Sequence, residues 1–184
     1  MNFKQELIET YIARGGVMLG NFTLTGGGTS TVYIDGRLVT TYPKSLNIIA
    51  DQFAILISSM NDFATDLNIV VPPVSGISIA AVLSIKLDIP FIIDRGKIKK
   101  HGAGKRFEGV FSQNPRCVLV DDLITQGTTL INSVKALREM GKTVSNAIVV
   151  VDREEGGRER LESIGVNLTA LITKNELVEA LKRT

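Results

Sequence analysis

The feature that most constrains this chain is a rhythm running through its second two-thirds. Short apolar runs recur at 68–71 (NIVV), 89–93 (IPFII), 116–122 (RCVLVDD), 144–152 (VSNAIVVVD) and 166–173 (VNLTALIT). Three of the intervals between them hold apolar residues at helical spacing: ISIAAVLSIKL at 77–87, the stretch from about Gly127 to Met140, and ERLESIG at 159–165. KNELVEALKRT closes the chain as a further helix. Runs this short and this uniformly apolar suit strands buried on both faces. Strands alternating with helical crossovers predict a parallel sheet covered on both sides by helices. The expected fold class is α/β, with a central, mostly parallel five-stranded sheet.

Upstream of this rhythm, Phe3, Leu7, Ile8, Tyr11 and Ile12 share one face of a helix that Gly15-Gly16 stops. TSTVYIDGR at 29–37 alternates as a strand would, and Pro43 suits the first turn of a helix carrying Leu46, Ile49, Phe53 and Met60. There is no internal repeat and no low-complexity linker. The chain therefore reads as one domain over 1–184, with helix and hood elements in 1–40 and the core sheet in 65–175. With 184 residues and 44% hydrophobic side chains it can bury a sizeable core and is not a disordered chain. No uncharged apolar run approaches the roughly 18 to 20 residues of a membrane helix. The opening MNFKQELIE lacks the apolar core of a secretory signal, and one cysteine, Cys117, cannot build a disulfide framework. A cytoplasmic location without a membrane partner is expected.

The net charge of +2 becomes informative once it is located. Residues 95–106 contain Arg95, Lys97, Lys99, Lys100, Lys105 and Arg106, the only histidine (His101) and no acid. Those are six of 21 basic side chains, which leaves 15 against 19 acidic residues elsewhere. A weakly acidic body thus carries one concentrated cationic segment. It can serve as a solvated loop that binds anions broadly, or as a loop that meets one polyanionic ligand.

In an open α/β sheet ligands bind at the carboxyl ends of the strands. The run Cys117 to Leu123 drives apolar residues directly into Asp121 and Asp122, and Ile124-Thr125-Gln126-Gly127-Thr128-Thr129 then opens a helix. Unpaired N–H groups at a helix start, with nearby hydroxyls, suit a phosphate. Two acids beside a phosphate cradle suit the vicinal hydroxyls of a sugar or a bound Mg²⁺. The same residues could also make a solvated Asp-Asp turn followed by a threonine cap. Neither a Walker A loop nor a dinucleotide fingerprint is present.

The stretch 117–129 resembles the phosphoribosyl-pyrophosphate (PRPP) signature of type I phosphoribosyltransferases. Three more stretches resemble the orotate phosphoribosyltransferase family: Phe22 to Gly27 with Ser30 to Asp35; Asp94 to Gly109 with Lys99 and His101-Gly102; and Val151 to Arg158. The resemblance implies the type I phosphoribosyltransferase fold, with a small N-terminal hood and a mobile catalytic loop at 95–109. It implies that Asp121 and Asp122 hold the ribose hydroxyls of PRPP and that Thr125, Gln126, Gly127, Thr128 and Thr129 wrap its 5′-phosphate. Ser75 and Gly76 in Pro72-Pro73-Val74-Ser75-Gly76, with Lys97 and Lys100, would face the diphosphate. Arg95, Lys99 and His101 would be catalytic, and Thr125, Arg153, Val32 and Tyr33 would contact orotate. Mg²⁺ is expected on PRPP rather than on a dedicated protein site. A homodimer with shared active sites is implied, and no nucleic-acid partner is expected. The chain departs from the family pattern at Thr25 and Gly96, where lysines are usual, although Lys97 lies one position on. Transfer to another base, or PRPP sensing without catalysis, remains an alternative at this stage.

Overall fold

The computed structural model describes residues 2–23, 29–60, 67–96 and 105–183. Helix α1 (Phe3–Ala13) is capped by Asn2, whose side chain accepts from the Lys4 N–H at 3.2 Å. It leads into an antiparallel pair, β1 (Val17–Thr23) and β2 (Thr29–Ile34), the N-terminal hood. A short α2 (Arg37–Thr40) and the long α3 (Pro43–Ser58) follow, the latter with proline in its first turn as its fixed φ favours. The remaining elements are β3 (Asn68–Val71), α4 (Ile77–Leu87), β4 (Phe91–Asp94), β5 (Phe107–Glu108), β6 (Arg116–Ile124), α5 (Thr128–Glu139), β7 (Thr143–Asp152), α6 (Gly157–Glu162), β8 (Asn167–Thr173) and α7 (Lys174–Leu181).

The main sheet has the order β5-β4-β3-β6-β7-β8. Its five longer strands are all parallel, as the apolar rhythm predicts, and β5 adds a two-residue antiparallel edge beside β4. That edge strand was not foreseen, because Phe107-Glu108 is too short to show any period. Strand β3 is buried at every position, and so is β7 from Ala147 to Asp152, as strands covered on both faces must be. One apolar cluster packs α1, α3, α4 and α7 on one face of the sheet. A second, built on Leu130, Val134, Leu137 and Leu161, covers the other. Cys117 belongs to this second core, and burial pushes its thiol up to about 11, so it is packing rather than chemistry.

Tyr11 anchors α1 in the first core and is fully buried. Its hydroxyl has no hydrogen-bond partner among the described residues. Burial, together with the carboxylates of Asp122 and Asp35, raises its pKa. A buried hydroxyl without a partner costs about 1 to 3 kcal/mol of desolvation. Tyr11→Phe should therefore leave the fold intact and raise Tm by a few degrees in thermal melts. A lowered Tm would show that the hydroxyl does stabilising work.

Candidate active site

The strand order locates the site. From β3 the chain crosses to β4 on one side and then returns to β6 on the other, so the crossovers diverge at the carboxyl ends of β3 and β6. Such a divergence leaves an open crevice at the strand ends. A cavity of about 530 Å³ lies there, lined by Pro73 to Ser75 after β3, Asp121 to Leu130 at the end of β6, and Arg153 and Glu155 after β7.

Alternation along β6 separates its two acids. Asp121 is partly exposed, whereas Asp122 is buried at 7% exposure. The Asp122 N–H donates to Asp121 Oδ1 at 2.9 Å, which fixes one carboxylate against the backbone of the next residue. Glycines close both flanks. A Cβ on Gly36 would stand 2.5 Å from Asp122 Oδ2, and one on Gly76 would stand 3.0 Å from Asp121 Oδ1. Only a residue without a side chain lets the hood backbone at 36 approach this closely. Neither acid has an ion-pair partner among the described residues. Burial raises the pKa of both, and the negative charge of Asp122 pushes that of Asp121 up further. The pair is a desolvated anionic receptor suited to hydroxyl donors or to a cation.

The loop behind it is built for an anion. Gly127 adopts a left-handed φ of 71°, which turns the chain into α5, and no side chain caps the start of that helix. Its first N–H groups therefore lack side-chain acceptors beside Thr125, Thr128 and Thr129, where the helix dipole is positive. Arg160 Nη1 donates to the Gln126 carbonyl at 2.6 Å and holds the loop from outside.

Arg153 stands at the third strand end at 8% exposure. Its Nε donates to Glu155 Oε1 at 3.1 Å, and its Nη2 lies 3.0 Å from the same oxygen. That Nη2 is buried without a directed hydrogen bond. One carboxylate oxygen thus occupies one edge of the guanidinium, and donor capacity remains for a second acceptor.

Of the residues singled out from sequence, Ser75, Asp121, Asp122, Thr125, Gln126, Gly127, Thr128, Thr129 and Arg153 line one cavity. Gly76 lies buried behind Asp121. Val32 packs into the core, and Tyr33 meets Phe22 with ring centroids 5.4 Å apart, so neither lines this cavity. Arg95 pairs with Glu108 at 2.8 Å. Lys97, Lys99, Lys100 and His101 lie outside the described residues, as does Thr25. The sequence reading does not single out Gly36, whereas it allows a salt bridge of Arg153 with Glu154 or Glu155, and the structure forms the one with Glu155. Glu155 carried a signal, as an acid two residues from an arginine, whereas the approach of Gly36 to Asp122 is purely tertiary.

A phosphoribosyl transferase domain model matches residues 39–175. Orotate phosphoribosyltransferase of Halobacterium salinarum is 36% identical over 98% of this chain and 99% of its own length. The chain belongs to the orotate phosphoribosyltransferase family. Among solved structures, the orotate phosphoribosyltransferase of Aeropyrum pernix superposes with a TM-score of 0.76 at 30% identity, over 96% of this chain and 99% of that one. The UMP synthase of Leishmania donovani gives a TM-score of 0.81 at 29% identity, but this chain spans only 38% of that longer protein. The family match covers all three strand ends that build the cavity.

The raised acid pair predicts a pH signature. An acid whose folded pKa exceeds its unfolded value destabilises the fold when ionised, and the cost disappears as pH falls through the folded pKa. Asp121→Asn, which keeps the Oδ1 acceptor, should raise Tm of the ligand-free protein at pH 8. The gain should shrink as pH drops toward the ordinary carboxylate range. Thermal melts across pH 5–8 with a constant gain, or a loss, would contradict the assigned desolvation.

Proposed function

We propose that this protein is an orotate phosphoribosyltransferase, transferring the 5-phosphoribosyl group of PRPP to orotate to give orotidine 5′-monophosphate and pyrophosphate, a step in making pyrimidine nucleotides. The observation that carries this reading is the joining, in one cavity, of an acid pair with no ion-pair partner among the described residues, an uncapped helix start and a buried arginine with donor capacity to spare. In this reading Asp121 and Asp122 accept from the ribose hydroxyls, and residues 125–129 take the 5′-phosphate. Arg153 takes the orotate carboxylate, which a neutral base would not supply.

The C1′–oxygen bond to pyrophosphate breaks as a bond from C1′ to the orotate ring nitrogen forms, and the nitrogen's proton is released. Charge accumulates on the departing pyrophosphate, so fixed cations rather than a protein nucleophile should do most of the work. Lys99 and His101 are the proposed groups, with Arg95 beside them. Lys97, Lys100, Ser75 and Gly76 are assigned to binding the diphosphate and Thr125 to the base side, whereas Val32 and Tyr33, expected there from the resemblance, stand outside the cavity.

The donor set fits Mg²⁺ carried by the substrate. The adjacent carboxylates of Asp121 and Asp122 are hard oxygen donors of the kind Mg²⁺ takes. Asp121 and Asp122 would hold such an ion through the ribose side, and the ion when bound would neutralise part of the diphosphate charge. We further propose a homodimer in which Arg95, Lys99 and His101 serve the partner's cavity. The proposed location is the cytoplasm, and no helix among the described residues is long and apolar enough to cross a membrane.

Incubation with orotate, PRPP and Mg²⁺ should consume orotate, followed by its absorbance, while uracil, hypoxanthine and adenine are not used. Absence of turnover with orotate would overturn the proposal. Lys99→Ala should lower kcat by about 10²-fold or more, as loss of one transition-state charge contact does. Arg153→Gln should raise KM for orotate by roughly thirtyfold to a thousandfold, or about 2 to 4 kcal/mol. An unchanged KM would remove Arg153 from the base site.

A further inference from the structure

The two ends of the basic segment are not held by chance contacts. Asp94, the last residue of β4, is 1% exposed. Arg106 grips it with both arms, Nε to Oδ1 at 2.7 Å and Nη2 to Oδ2 at 2.8 Å. Ser133 Oγ donates to Oδ2 at 2.6 Å, and the Gly96 N–H donates to Oδ1 at 2.8 Å. Arg106 Nη2 also donates to the Asn132 carbonyl at 3.0 Å. The buried carboxylate is thus fully engaged. Burial alone would raise its pKa, but the bonds from Arg106, Ser133 and Gly96 outweigh burial and hold it below the ordinary value.

The residues that meet here come from three places with different tasks. Asp94 and Gly96 form the entry to the segment, and Arg106 forms its exit. Ser133 and Asn132 lie on α5, the helix whose first turn carries Thr128 and Thr129. Ser133 Oγ also lies 3.2 Å from the Thr129 carbonyl, so the contact reaches the phosphate loop itself. A second, exposed pair, Arg95 with Glu108, crosses the same two stems, and the Arg95 N–H donates to the Arg106 carbonyl at 2.9 Å.

Resting on the phosphoribosyl-transfer reading above, we propose that Asp94, Arg106 and Ser133 form a positioning unit that fixes where the basic segment leaves the core relative to the phosphate cradle. None of the three lines the cavity, so none is assigned contact with substrate. Arg106 is accordingly a structural cation rather than a ligand for the diphosphate. A bidentate arginine is suited to this task, because its planar fork fixes direction as well as distance, which a lysine cannot do. Groups that act on the leaving diphosphate only in the transition state are sensitive to small displacements, and a shift of about 1 Å can cost 10²-fold in rate. A positioning fault should therefore appear in kcat more than in ground-state affinity for PRPP.

The experiment compares Asp94→Asn, Arg106→Gln, Arg106→Lys, Ser133→Ala and the double Asp94→Asn/Arg106→Gln with the wild type. Each is assayed well below its own Tm, with PRPP affinity measured by calorimetry in the presence of Mg²⁺. Asp94→Asn and Arg106→Gln should each lower kcat tenfold or more, with a smaller loss of PRPP affinity, because Lys97 and Lys100 of the same segment are assigned to the diphosphate. Arg106→Lys and Ser133→Ala should fall between them and the wild type, and the double variant should be no worse than the poorer single one. If a charge-removing variant does not fold, Arg106→Lys and Ser133→Ala decide the matter. Lowered Tm with wild-type kcat would make the cluster merely structural and overturn the proposal, as would additive losses in the double variant. An active wild type with unimpaired variants contradicts this inference alone, whereas a wild type that does not turn over orotate contradicts the functional reading as well.

Discussion

Two adjacent carboxylates at the end of β6 place the strongest demand on this structure. Asp121 and Asp122 are crowded against each other and desolvated, with no ion pair among the described residues to offset their charge. Such an arrangement persists only where the surroundings over-determine it. Here β3 and β7 pair with β6 on both sides, Gly76 presses on Asp121, and Gly36 brings the hood backbone against Asp122. The sheet core supplies the rigidity, and the site carries the electrostatic cost.

From that pair the rest of the site follows in layers. The loop after Ile124 turns at Gly127 into a helix with no side-chain cap, so an anion-binding end stands next to an anionic pair. A ligand that presents hydroxyls to one and phosphate to the other reconciles them. Arg153, on the neighbouring strand, adds a third chemistry at the same crevice. Farther out, Asp94 and Arg106 tie the stems of the basic segment to the helix that carries the phosphate loop. The N-terminal elements are thus part of the site architecture, because the hood reaches Asp122 and α1 buries Tyr11 behind it.

Much of this was legible in the chain before folding. Uniformly apolar strands gave the parallel sheet, since burial on both faces removes the usual alternation. The acid pair and threonine loop were legible because they are contiguous: one strand end and one helix start hold all of them. What escaped was set by tertiary approach. Gly36 is one of 17 glycines, and nothing local marks it as the one that touches Asp122. The charge pattern also needed the fold for its interpretation. Counting from 95 to 106 finds six bases and no acid, yet Asp94 and Glu108 lie just outside that window and neutralise Arg106 and Arg95. Two of the six bases in that window are therefore paired with acids that the count leaves out.

A crystal structure of this protein with PRPP and Mg²⁺ tests the central claim most directly, which is that the acid pair is a ribose receptor set beside a phosphate cradle. It should show the two ribose hydroxyls within hydrogen-bond distance of the Asp121 and Asp122 carboxylates, and the 5′-phosphate against the N–H groups of residues 126–129. A phosphoribosyl group bound elsewhere, with the acid pair facing only water, would contradict it.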